Sequence, residues 1–410
     1  MKRKVGLGAV CVLAVVWGVR AALSQPERVG QNQAAASVSR RGDDGGQLAP
    51  ATGISWDRST LRWVQSGTYG RMVRLHDGAL LCSYEAQGKS WVTRSRDEGR
   101  TWESPRLVRA LTGASAANPE LLQLSNGRLW LFYNQRPRDG VQPFAIGACW
   151  SDDAGATWQP RPTPLYTAST DFKDGCWEPA ALQLPSGEIQ LFFANEALYT
   201  RSDEQEITLL RSLDEGASWG KPQTVAFRAG HRDGMPVPLL LRDGGDVVFV
   251  IEDNGLAPGT QLQPAIIRTT RAANWRQPVV MGSSAQRENA LAMPLPPQVY
   301  AGAPYLRQLP SGETLLSCQS TEGGGMEGGD TRGIRTKPQM VVYIGDSQAR
   351  HFAHRSVPVE LPGDVAGSWN SLFVKNSRTI TALTATRING RNGLWAIDGY
   401  VTRSRMTDDR

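Results

Sequence analysis

The sequence predicts an all-β protein, a six-bladed β-propeller with four-stranded antiparallel blades. Three observations predict it. From Trp56 onward, short apolar runs alternate with turn signals, and no helical period of useful length interrupts them. A hairpin unit recurs six times along the chain. A second motif ending in Trp recurs in step with it. The 43 Gly and 13 Trp suit such a turn-rich fold with aromatic residues placed once per repeat.

The hairpin unit is an apolar run, a short turn ending in Gly, and a second apolar run. It reads MVRLHDGALLCSY, LLQLSNGRLWLFY, AALQLPSGEIQLFF, PLLLRDGGDVVFV and YLRQLPSGETLLS, with LFVKNSRTITALT as a sixth copy. The turn positions Gly78, Gly127, Gly187, Gly244, Gly312 and Ser377 are separated by steps of 49, 60, 57, 68 and 65 residues. Asp-Gly, Asn-Gly and Ser-Gly supply the positive φ that a tight turn between twisted strands demands. Each step leaves room for two further strands, so six blades fill residues 53–406 as one domain.

The residues ahead of the propeller read differently. Lys2, Arg3 and Lys4 precede an apolar run, Val5 to Val19, and the small residues Ala21, Ala22 and Ser24 follow. This predicts a cleaved export signal over 1–24 and a secreted or periplasmic protein. The run is too short to span a bilayer comfortably, so stable membrane insertion is not expected. Residues 25–52 are polar and read as a disordered linker. Loss of Lys2, Arg3, Lys4 and Arg20 takes the net charge from +6 to +2, which leaves no case for nucleic acid as partner. Cys82, Cys149, Cys176 and Cys318 are read as isolated apolar strand residues, not a disulfide scaffold.

The second motif is Ser95-Arg-Asp97-Glu-Gly99-Arg-Thr101-Trp102. It recurs at Ser151–Trp158 and Ser212–Trp219, and a worn copy without Asp and Gly ends at Trp275. Physically it is a hairpin turn in which the Asp carboxylate accepts bonds from turn amides and the Trp packs on the blade edge. This S-x-D-x-G-x-T-W pattern is the Asp box, and at blade spacing it resembles the sialidase-like propeller superfamily. The resemblance implies that the boxes are structural and lie on the rim, away from a central funnel.

In a propeller, the innermost strand of each blade faces that funnel. The polar residues opening those strands are Arg71, Asn118 and Glu120, Trp177 and Glu178, Arg232, Asp233 and Met235, Tyr305, and Trp369 with Asn370; the second-strand ends add Glu85, Glu196 and Glu252. Carboxylates, arginines and aromatic faces around one funnel suit an oligo- or polysaccharide partner. Four His offer no metal-ligand cluster, so no metal or other cofactor is expected.

GRMVRLHDGALLCSYE followed by SRDEGRTW resembles the first blade of a sialidase. The later blades lack its general acid, its third arginine and its tyrosine nucleophile. WEPAALQLPSGEIQLFFANE followed by RDGMPVPLLLRDGGDVVFVIEDNG resembles the third and fourth blades of the exo-arabinanase branch, retaining enzymes that act on the ends of α-1,5-linked arabinan. That resemblance implies Glu178 as nucleophile and Glu252 as general acid/base. It leaves Arg71, Asn118, Trp177, Arg232, Asp233, Tyr305, Trp369 and Asn370 as expected substrate-binding residues of a monomeric, exported exo-glycosidase. A non-catalytic carbohydrate-binding propeller and an exo-α-sialidase stand as the alternatives.

Overall fold

The computed structural model describes residues 49, 51–242, 244–323 and 333–404. The expected leader, 1–24, lies outside the described residues, as does the expected linker, 25–52, apart from residues 49, 51 and 52.

Strand β1 (Ala51–Gln65) comes first in the chain but belongs to the last blade. Blade one is β2 (Thr68–Arg74), β3 (Leu80–Ala86), β4 (Lys89–Ser95) and β5 (Arg106–Arg109). Blade two is β6 (Ala114–Gln123), β7 (Leu129–Pro137) and β8 (Ala145–Ser151), with its fourth position shared by two short strands, β9 (Gln159–Pro160) and β10 (Tyr166–Thr167). A single 3₁₀ turn, Phe172–Asp174, leads into blade three. That blade is β11 (Cys176–Gln183), β12 (Ile189–Asn195), β13 (Glu206–Ser212) and β14 (Gln223–Ala226). Blade four is β15 (Asp233–Leu240), β16 (Val247–Asp253), β17 (Gln263–Thr269) and β18 (Arg287–Asn289). Blade five is β19 (Ala301–Gln308), β20 (Thr314–Ser320), β21 (Gln339–Gly345) and β22 (Ala353–Ser356). Blade six is β23 (Ser368–Val374), β24 (Thr379–Ile388) and β25 (Arg391–Arg403), completed by β1. Among the described residues no helix is long and apolar enough to cross a membrane.

The antiparallel six-bladed architecture is the one predicted, with one feature the sequence did not disclose. Blade six takes its outer strand from the start of the chain: Ile54 pairs with Val401 and Trp56 with Gly399. The strand begins at Ala51, two residues inside the stretch expected to be linker. Closing the ring this way pairs a strand edge that would otherwise stay open.

Local rules hold where they were read. Gly78, Gly127, Gly187, Gly244 and Gly312 all have φ between +75° and +108° at the hairpin turns. In each complete Asp box the carboxylate accepts from the backbone and hydroxyl four residues on, as Asp97 does from Thr101 at 2.9 and 2.7 Å. Those bonds hold Asp97 down to about 2, as expected of a carboxylate whose charged form is fully bonded. The box follows the third strand of its blade, away from the axis, so it staples the rim. Between blades, aromatic side chains interlock: Phe192 of blade three lies 5.2 Å from Phe249 and 5.7 Å from Trp275, both of blade four. The four cysteines among the described residues, Cys82, Cys149, Cys176 and Cys318, are buried and unpaired.

The feature that matters for function lies in the inner strands. Each breaks register once, at its funnel end, in a β-bulge. One residue per bulge sits in the left-handed region: Tyr69, Asn118, Glu178, Met235, Ala303 and Trp369, at φ of 45° to 56°. None is glycine, so each position costs on the order of 1 kcal/mol. Pro follows at 119, 179, 236 and 304, where a bulge tolerates its missing N–H. A bulge re-aims a side chain out of the strand's alternation. Six equivalent bulges therefore gather six side chains at one end of the channel.

Candidate active site

A cavity of about 410 Å³ lies at this end of the channel, on the side of blades two to four. Trp177, Glu178, Arg232, Glu252 and Trp369, all expected from the sequence, line it together, with Arg136, Phe172, Lys173, Glu196, Asp203 and Gln205.

Glu178 stands on the blade-three bulge at φ 45°. Arg136, at the end of β7 in blade two, donates Nη2 to Glu178 Oε1 at 3.1 Å and also to Asn118 Oδ1. Its guanidinium lies 5.1 Å from the Trp177 ring centroid. Burial raises the Glu178 carboxyl above its ordinary range, and the Arg136 charge opposes that rise.

Glu252 ends the second strand of blade four, paired with Gly234. Its Oε2 accepts from the Ala303 amide of blade five at 2.8 Å. Two glycines make room for it. A methyl group at Gly234 would lie 2.9 Å from Oε1, and one at Gly302 only 2.6 Å from Oε2. Burial pushes Glu252 up to about 7, and the nearby Glu178 charge adds to the rise while the Ala303 N–H restrains it. Both glutamates are thus raised by partial burial. What separates them is the partner: a full positive charge beside Glu178, a neutral amide beside Glu252.

A third carboxylate, Glu196, is fully engaged. Trp177 Nε1 donates to it at 2.8 Å, Gln205 Nε2 at 3.1 Å, and Arg232 through Nη2. Arg232 is further fixed by the Asp203 carbonyl at 3.1 Å. Glu85 accepts from the Asn118 amide at 3.2 Å. Its place is beside the blade-two bulge.

Four expected substrate-binding residues have other partners. Arg71 is 2% exposed; its Nε donates to Glu120 at 3.1 Å and its Nη1 to the carbonyls of Gly70, Trp369 and Asn370. Its guanidinium lies between the rings of Tyr69 and Tyr305, 3.8 and 4.8 Å from their centroids. Tyr305 closes the same layer from blade five, its hydroxyl 3.4 Å from Glu120. This cross-channel network of blades one, two, five and six fills the axis beneath the bulges. Asp233 is fully buried with both oxygens on Arg287, at 2.8 and 2.5 Å. Bulge position alone does not disclose these partners, because each is a buried opposite charge or a ring that the local sequence does not reveal. Asn118 serves Arg136 through its own side chain, and Asn370 is buried, its carbonyl accepting from Arg71.

Sequence reasoning missed Arg136, and with it Phe172, Lys173, Asp203 and Gln205 of the cavity lining; Arg136 is the one that touches Glu178. It ends its second strand at the same distance from the bulge as Glu196, two residues beyond the place of Glu252, and that register shared with Glu196 could have singled it out. Among the described residues no three His, Cys, Asp or Glu side chains gather as a metal site would require.

The fold and site define a class: a six-bladed propeller with a polar, carboxylate-bearing cavity at the channel mouth. No protein-family model matches the chain, and no curated relative does. Solved structures do. A Dyadobacter fermentans protein of unknown function superposes with a TM-score of 0.63 at 15% identity, covering 85% of this chain and 100% of that one. The GH93 α-L-arabinofuranosidase of Fusarium graminearum, solved with arabinobiose, gives 0.61 at 16% identity over 86% and 98%. The Penicillium chrysogenum α-L-arabinanase, also with arabinobiose, gives 0.60 at 17% identity over 86% and 97%. At these identities the likeness establishes a fold shared with glycoside hydrolases.

Proposed function

We propose that the protein is an exported retaining exo-glycosidase that removes terminal α-L-arabinofuranosyl units from α-1,5-linked chains. The observation that carries this reading is the pair Glu178 and Glu252: two half-buried carboxyls from adjacent blades, lining one cavity, the first beside the Arg136 charge and the second on a neutral backbone amide. A retaining glycosidase needs one ionised and one protonated carboxyl about 5–5.5 Å apart, and their environments must hold their pKa values apart. Arg136 favours the charged form of Glu178, the nucleophile. Glu252, raised to about 7, keeps its proton near neutrality and is the acid.

In the first step a Glu178 oxygen bonds to the anomeric carbon as the glycosidic C–O bond breaks, and the Glu252 proton passes to the departing oxygen. In the second, Glu252 takes a proton from water as that water's oxygen bonds to the same carbon and Glu178 leaves. The arabinose specificity rests on the resemblance of blades three and four and on the arabinobiose-bound neighbours. Sialic acid fits less well, since Arg71, Arg136 and Arg232 are each already paired with a carboxylate, Glu120, Glu178 and Glu196 respectively.

The test is sugar release from linear arabino-oligosaccharides and from a sialoside, side by side with Glu178→Gln and Glu252→Gln. Arabinose should be released with retained configuration, and each substitution should reduce kcat by at least about 10³-fold. Glycan binding without any hydrolysis would overturn the catalytic reading in favour of a carbohydrate-binding propeller. Release of sialic acid instead would overturn the arabinose assignment.

A further inference from the structure

The cavity is graded from a buried floor to an open rim. At the floor, Trp177 is 7% exposed and the Glu178 side chain 14%. At the rim, Lys173 and Asp203 face each other as a loose pair at 4.0 Å, with side chains 76% and 82% exposed. Between β10 and β11 the 3₁₀ turn carries Phe172 on this rim, and its ring is 70% exposed. An aromatic ring left in water at the lip of a polar cavity is unusual in its placement.

Phe172 is also held. Asp171 caps the turn by accepting from the Lys173 amide at 2.9 Å. The Phe172 ring packs at 78° against Phe144, with centroids 5.9 Å apart, and its centroid is 5.0 Å from that of Trp177. Phe144 and Trp177 are themselves buried and in contact, 4.9 Å apart. One cluster of tilted aromatic rings therefore runs from the wall beside Glu178 outward to the rim, ending in Phe172, which is largely exposed.

We propose that Phe172 is the stacking platform for the sugar on the leaving-group side of the scissile bond, which makes the substrate a chain that continues out of the cavity. This inference rests on the glycosidase reading. A chain continuing from a terminal sugar seated at the floor between Glu178 and Glu252 leaves toward the exposed part of the lining, where Phe172, Lys173 and Asp203 stand. A pentose or hexose presents an apolar C–H face that covers an aromatic ring well, while its hydroxyls reach the Lys173 and Asp203 side chains at the edge. Contact with a part of the substrate that does not react is binding energy the enzyme can use in the transition state.

The experiment compares wild type and Phe172→Ala on a linear arabinotriose and on an aryl α-L-arabinofuranoside with a good leaving group. The aryl substrate places no sugar on the platform. Phe172→Ala should lower kcat/KM for the triose about tenfold, the contribution of one stacked ring, and change the aryl rate less than twofold. Phe172→Tyr should restore the triose rate. Equal loss on both substrates, or no loss on the triose, overturns the platform. If neither substrate is cleaved by the wild type, the catalytic reading fails instead. The platform is then tested by titrating arabinotriose against arabinose into wild type and Phe172→Ala by calorimetry. A preference for the triose that vanishes in Phe172→Ala supports the platform, and its persistence overturns it.

Discussion

Replacing Gly302 by Ala tests the placement of Glu252 with a single methyl group. Gly302 precedes the blade-five bulge, and its backbone lies outside the left-handed region, so alanine meets no conformational objection. The objection is steric. The new carbon would stand 2.6 Å from both Glu252 Oε2 and the Tyr300 hydroxyl, where ordinary contact begins near 3.4 Å. If Tyr300 holds its place, pinned by Gln319 at 2.6 Å, the carboxylate must retreat by about 0.8 Å, taking 3.4 minus 2.6 Å. Misplacing a catalytic group by about 1 Å costs on the order of 10²-fold in rate. The same retreat stretches the Ala303 N–H bond to Oε2. That bond favours the charged form, so its loss raises the Glu252 pKa further above about 7, and the alkaline limb of the pH–rate profile moves upward. Overpacking of this kind costs about 1–3 kcal/mol of stability, or a Tm loss of a few degrees. The assay is kcat against pH on an aryl arabinofuranoside, with Tm by calorimetry. Gly363→Ala is the control, since a methyl there meets nothing within 4 Å. A Gly302→Ala protein with lowered Tm but wild-type kcat and an unmoved alkaline limb would refute the reasoning.

Two further predictions follow from the same partners. Removing the Arg136 charge, as in Arg136→Met, deprives Glu178 of the group that opposes its raised pKa. The acid limb of kcat/KM should then move to higher pH while the alkaline limb stays; a profile shifted as a block, or not at all, would sink the assignment. With Cys82, Cys149, Cys176 and Cys318 buried and unpaired, and burial pushing the Cys82 and Cys149 thiols up to about 12, a reductant should leave Tm unchanged. Labelling of any of the four in the native protein by a thiol reagent within minutes would contradict their burial.

The fold was legible because its punctuation is local. Each hairpin glycine needs positive φ and each Asp box satisfies its own turn, so both sign the sequence directly. Blade five shows the limit of such signatures. Residues 345–352 make a comparable turn with Asp346 accepting from the amides of Gln348 and Arg350, Ala349 at φ 55° and buried Phe352 closing it, yet they share almost no letters with the box. The candidate site was legible in part for the same reason. Glu178, Trp177, Arg232, Glu252 and Trp369 could be placed by counting from turns. Partners were not legible, because they come from distant strands or other blades: Glu120 for Arg71 and Arg136 for Glu178 from a neighbouring blade, Arg287 for Asp233 from the far edge of its own. Counting along one strand gives depth in the channel and says nothing of which distant charge arrives at that depth.

Strand β1 carries a consequence for how the molecule is made. Its pairing partner in β25 lies more than 300 residues further on, as Ile54 with Val401 illustrates. A chain emerging from its amino end has this strand first and cannot use it until last. Contacts of such long sequence separation form late, since the loop entropy is lost before they contribute. The first five blades can assemble in order while the earliest segment waits, its apolar side unshielded, in the interval when a nascent protein is most exposed to aggregation.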